Sequence, residues 1–140
     1  MKKVLSVLCL TIILVSSLTA AAPMPNTTFT VVQGLPATMK VGETYTVIVQ
    51  IESDQEFIFA QAMPSFYYPG RGVVAVQSAE NRSGRGTSAT LAITYKAKGS
   101  TASFQGVAPY GAAQVHFVAG VRYPGGYTAV QDFVFYVTVP

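Results

Sequence analysis

From Thr44 onward the chain alternates between apolar and polar positions with a period of two. In ETYTVIVQIES, Tyr45, Val47, Val49 and Ile51 share one side of an extended strand, while Thr44, Thr46 and Gln50 share the other. Ile48 is the apolar residue out of place. The same parity returns in TLAITYK, which aligns Leu91, Ile93 and Tyr95, and in QVHFVAGVRY, which aligns Val115, Phe117, Ala119, Val121 and Tyr123. DFVFYVTV repeats it with Phe133, Phe135, Val137 and Val139. These odd-numbered side chains are the predicted core. TFTVV reads as a first edge strand, FIFAQA and VVAVQS as further strands, and SFQGV as a weaker one. LPATMKVGE, NRSGRGTS and YPGGY punctuate the pattern as turns. No window sustains a helical period, so the chain is expected to be all-β, an antiparallel sandwich of about seven strands.

One stretch resembles a known class. PATMKVGETYTVIVQI, in which Pro36 and the Val41-Gly42-Glu43 turn precede an alternating strand, is similar to the opening of immunoglobulin-like modules on prokaryotic surface proteins, a likeness that spans residues 28 to 140. It implies a non-catalytic role in adhesion, assembly or recognition and supplies no site residues. The paired cysteines and core tryptophan of antibody-type domains are missing, which removes that subfamily.

The N-terminus follows a different rule. Lys2 and Lys3 precede an almost wholly apolar run from Val4 to Val15, and SSLTAAAP then ends in small residues. This is the pattern of a cleavable secretory signal peptide, with removal after Ala20, Ala21 or Ala22. The run is shorter than the roughly 20 residues a membrane-spanning helix needs, so an uncleaved anchor is the weaker reading. The predicted organisation is a leader at 1–22, a Pro-punctuated spacer at 23–27 and an immunoglobulin-like domain at 28–140. The protein is expected to be secreted, periplasmic or at the cell surface, with no stable membrane anchor after cleavage.

Removing the leader changes the chemistry. Cys9, the single cysteine, goes with it, and so do two of the nine basic residues, leaving 9 − 2 = 7 against six acidic ones. The working chain then has no thiol and no disulfide and must be held by packing alone. Its near balance of charge, with no basic stripe or acidic run, argues against a nucleic-acid partner.

Catalytic and metal-binding patterns are thin. His116 is the only histidine, so a nucleophilic triad would have to pass through it with Asp54 or Asp132 as the orienting carboxylate. Its place in the alternation instead makes it a polar residue on the outer face of a strand, and no G-x-S-x-G elbow accompanies it. A blue-copper centre needs two histidines and a cysteine. A copper carrier built on Met24, Met39, Met63 and His116, a calcium site on Glu52, Asp54 and Glu56, and a glycosidase pair Glu52/Glu56 are each weaker than the plain readings. Met63 fits equally well as a packing residue before Pro64, and the carboxylates are explained as well by an exposed acidic turn. The chain is read as a non-enzyme without cofactor or metal.

The remaining signal is aromatic. SFYYPGRG and RYPGGY each carry a Tyr-Pro-Gly turn, whose proline and glycine suit a type II turn without further purpose. Three successive rings exceed what one face of a strand can bury. Phe66, Tyr67, Tyr68, Tyr123 and Tyr127 are therefore the candidate binding surface for a protein or glycan, against the alternative that they pack over their own hairpins. The absence of tryptophan weakens the glycan case. PMPNTTFTVVQG offers another route to partners: it could complete a neighbouring subunit by donor-strand exchange, or form the first strand of its own domain. Asn26 and Asn81 are formal glycosylation acceptors. The reading is an exported adhesion, binding or assembly module. A filament subunit and a small periplasmic metal carrier or hydrolase are the alternatives.

Overall fold

The computed structural model describes residues 23–66, 72–78, 82–104 and 111–140, with the side chains of Phe66 and Phe104 also outside the description. Eight strands are placed: β1 (Thr27–Gln33), β2 (Thr44–Phe57), β3 (Phe59–Phe66), β4 (Val74–Val76), β5 (Arg82–Ser83), β6 (Gly86–Ala97), β7 (Ala113–Arg122) and β8 (Thr128–Val137). They form two four-stranded sheets in the orders β1-β2-β6-β4 and β5-β3-β7-β8, with every strand-to-strand pairing antiparallel. The longer strands pair as A-B-E against C-F-G, the frame of an immunoglobulin-like sandwich, while the short β4 beside E and β5 beside C come in the reverse of the usual chain order of C′ and D.

Alternation explains the packing. Val47, Val49 and Ile51 of β2, Leu91, Ile93 and Tyr95 of β6, and Val115, Phe117, Ala119 and Val121 of β7 are all buried between the sheets. Register carries the pattern across strands: Val47 faces Ile93 and Val49 faces Leu91, so one slip would turn both stripes outward. Phe133 and Phe135 of the edge strand β8 are only partly buried against this core, and so is Tyr45, which lies on β2 beyond the end of its pairing with β1.

Several expectations are corrected. The acidic stretch is not a turn: β2 runs through Glu52, Asp54 and Glu56 to Phe57, and its register with β6 shifts between Glu52 and Phe57 to absorb the irregularity. Residues in NRSGRGTS are not all turn, since Arg82–Ser83 pair with Gln61 and Ala60. Of the weak SFQGV strand, Ser103 and Phe104 fall in the 3-10 turn Ala102–Phe104 and the rest lies outside the described residues. VVAVQS contributes only the three residues of β4.

The first strand stays at home: β1 pairs with its own β2 from Thr27 to Gln33. Beyond it the chain crosses to the other sheet, where Thr38 bridges Thr138 in parallel, Thr138 N donates to Ala37 O at 2.9 Å and Met39 N donates to Thr138 O at 3.0 Å. Gly34 permits that crossing. A β-carbon there would stand 2.9 Å from the Phe135 ring, inside van der Waals contact.

Candidate functional site

Of the five aromatic candidates, Tyr67, Tyr68 and the Phe66 side chain lie outside the described residues. The other two flank the turn that joins β7 to β8. Gly126 N donates to Tyr123 O at 3.2 Å, and Gly125 at φ +88° occupies the third position after Pro124, which is the expected type II geometry. Tyr123 and Tyr127 stack with ring centroids 5.7 Å apart.

Their roles differ. Tyr127 is exposed, but Tyr123 is 2% exposed and is not a surface ring. Its edge meets Phe57 at 6.4 Å, and its hydroxyl is hydrogen-bonded at 2.6 Å to both Thr27 Oγ1 of β1 and Ser53 Oγ of β2. Tyr123 therefore ties the end of one sheet to the other. A strand's parity predicts which face a ring takes; that two hydroxyls from the opposite sheet meet its phenol depends on contacts about 70 and 96 residues away.

His116 takes the outer face of its sheet, as alternation requires, yet is 5% exposed. Its Nδ1 is 2.8 Å from Asp132 Oδ2 and its Nε2 is 2.9 Å from Gln114 Nε2. An amide nitrogen only donates, so Nε2 accepts from Gln114 and Nδ1 carries the proton shared with Asp132. Ser65 stands directly across from His116 in the β3–β7 register. The residue types of a triad thus share one face, but Gln114 engages the nitrogen that would take a serine proton. Both ring nitrogens of His116 are thus engaged by neighbours on the outer face.

The two outer faces are unlike. On the first sheet, polar side chains bond to one another: Thr46 and Thr94 hydroxyls at 2.7 Å, and Gln50 Nε2 donating to Glu52 Oε1 and Ser88 Oγ, each at 2.9 Å. Apart from Val32 at its edge and half-buried Ile48, Ala75 and Ala92, that face is hydrophilic. On the second sheet, Met63, Val130, Val134 and Tyr136 are exposed by 45, 62, 41 and 39%. A shallow hollow lies beside Met63 and Val130, lined also by Phe59, Gly120, Arg122 and Thr128, while Val134 and Tyr136 lie farther along β8. Gly120 forms its floor: a β-carbon there would project to 3.6 Å from Val130 Cγ2. Alternation carried a sign of this patch, because Val130, Val134 and Tyr136 form a second apolar stripe on the even positions of β8.

Among the described residues, no group of three or more His, Cys, Asp and Glu side chains is placed to hold a metal. Among them also, no helix is long and apolar enough to cross a membrane.

No known protein family matches the chain, and no curated protein matches its sequence. Among solved structures it is similar to Escherichia coli alpha-2-macroglobulin, at 16% identity and a TM-score of 0.48 over 85% of this chain and 10% of that one. It is also similar to murine CRIg, at 11% identity and a TM-score of 0.34 over 82% of this chain and 98% of that one. The chain spans about a tenth of the length of the macroglobulin.

Proposed function

We propose that the protein is an exported, non-catalytic binding module at or beyond the cell surface, and that its recognition surface is the outer face of the β5-β3-β7-β8 sheet. The observation that carries this reading is the asymmetry of the two outer faces: one is a ladder of mutually bonded polar groups, the other exposes Met63 and Val130 at a hollow and Val134 and Tyr136 farther along β8, beyond Asp132. Leaving such side chains in water forgoes burial that a partner restores, and contiguous apolar patches on soluble proteins mark interaction sites. Arg122 at the hollow and Asp132 beyond it supply polar marks for orientation. A protein partner suits this face better than a glycan, because aliphatic side chains and methionine dominate and Tyr136 is the exposed ring among them.

Export is supported by the leader pattern of residues 1–22. The test couples both parts. The full chain is expressed with a C-terminal tag, the mass of the exported form is measured, and its binding to intact cells is compared with that of Met63→Lys/Val134→Lys. The expected outcome is a product shortened by 20 to 22 residues whose cell binding falls about tenfold or more in the variant at unchanged melting temperature. Binding that survives both lysines would remove this face from the reading.

A further inference from the structure

We infer that the chain forms a two-fold dimer by antiparallel pairing of β8 with β8 of a second copy, with Gln131 on the axis. This rests on the strand edge alone and holds whatever the apolar face binds.

The four sheet edges are unequal. β5 has two residues, β4 has three, and β1 has seven with a register shift between Val31 and Gln33. Each of these is short or irregular, as edges that avoid pairing are. β8 is ten residues long and keeps an unbroken register with β7 from Thr128 to Val137.

Charge does not guard it either. Asp132 is the only charged residue of β8, and its carboxylate is bonded to His116 on β7, away from the open edge.

Hydrogen-bond direction defines what the edge presents. Thr138 directs both its N–H and C=O away from β7, toward Met39 and Ala37. Backbone groups alternate along a regular strand, so Thr128, Val130, Asp132 and Val134 direct theirs the same way. No described strand pairs with this stretch. It is bounded at one end by the Tyr123–Tyr127 turn and at the other by the crossing of Gly34 over Phe135 and of Ala37 to Thr138.

A second copy is the occupant this window fits. Its centre is Gln131, and antiparallel pairing about that residue sets Thr128 against Val134 and Val130 against Asp132, each twice by symmetry. All four outward-directed residues are then used, giving about eight backbone hydrogen bonds. Each Asp132 meets the partner's Val130 rather than the partner's Asp132, which avoids like charges directly opposite. Gln131 is exposed although it has inward parity, because β1 does not cover it, so the axis is open. The result is one continuous eight-stranded sheet whose two apolar faces merge.

Two substitutions test this by sedimentation and by cross-linking. Val130→Pro removes an N–H that points out of the sheet, so the fold, followed by melting temperature, is retained while association weakens about tenfold or more. Gln131→Cys, in a Cys9→Ser background that leaves it the only thiol, places two cysteines across a non-hydrogen-bonded pair. Their Cα atoms are then ~4.5 Å apart, within disulfide range, and a glutathione buffer yields covalent dimer. Thr128→Cys, three residues off the axis, does not cross-link. A chain that is monomeric at about 200 µM, where weak pairing is visible, overturns the inference. So does a dimer indifferent to Val130→Pro, or cross-linking at Thr128→Cys or Asp132→Cys in preference to Gln131→Cys.

Discussion

At the scale of single residues, burial decides behaviour that residue type alone leaves open. Tyr95 is the largest fully buried side chain, and burial pushes its phenol well above the ordinary value of 10.0. The folded chain therefore holds this proton more tightly than the unfolded chain does. The contribution of Tyr95 is constant well below pH 10.0, where both states are protonated, and declines as pH rises through the unfolded pKa. Urea unfolding measured between pH 7 and 11.5 is expected to show this decline, and Tyr95→Phe to show a shallower one. Periodicity was enough to put Tyr95 in the core. It also put His116 on the outer face, but not under cover there, since the bond from Asp132 comes from the neighbouring strand, 16 residues on.

Among the elements, Tyr123 links three strands of two sheets through one hydroxyl, joining the end of β7 to Thr27 on β1 and Ser53 on β2. Tyr123→Phe keeps the ring packed against Phe57 but leaves both hydroxyls without this partner, at a cost of about 1–2 kcal/mol. Chemical denaturation should report that loss. Amide exchange at the start of β1 should quicken more than in β6, because β1 is an edge and depends on this tie. Strands β2, β6, β7 and β8 were legible because each alternates over many residues between clear turns. The continuation of β2 through Glu52 to Phe57 was not: acidic residues resemble a turn until the partner strand and the first residues of β1 hold them extended, as Asn26 and Asp54 do through bonds of 2.8 and 3.2 Å.

In the whole molecule, stability rests on the dry layer between the sheets. Leu91 is fully buried opposite Val49, so Leu91→Ala is expected to cost about 2–5 kcal/mol, read as a lower urea midpoint at an unchanged slope. Of the candidate surface, the turn at Pro124-Gly125 was legible as local chemistry, whereas the apolar face was seen only once β3, β7 and β8 lay side by side. Met63, Val130 and Val134 are scattered over about seventy residues of sequence and come onto one face of the sheet through register. What the sequence by itself determined is all-β character, the parity of the core and the positions of the turns, because these follow from a two-residue period and from the φ preferences of proline and glycine. Only the tertiary structure decided which strands are neighbours, which edge stays open among the described residues, and that the Tyr123 hydroxyl meets Thr27 and Ser53. Those outcomes depend on pairings between residues far apart in the chain, and no local pattern encodes which distant strand completes them.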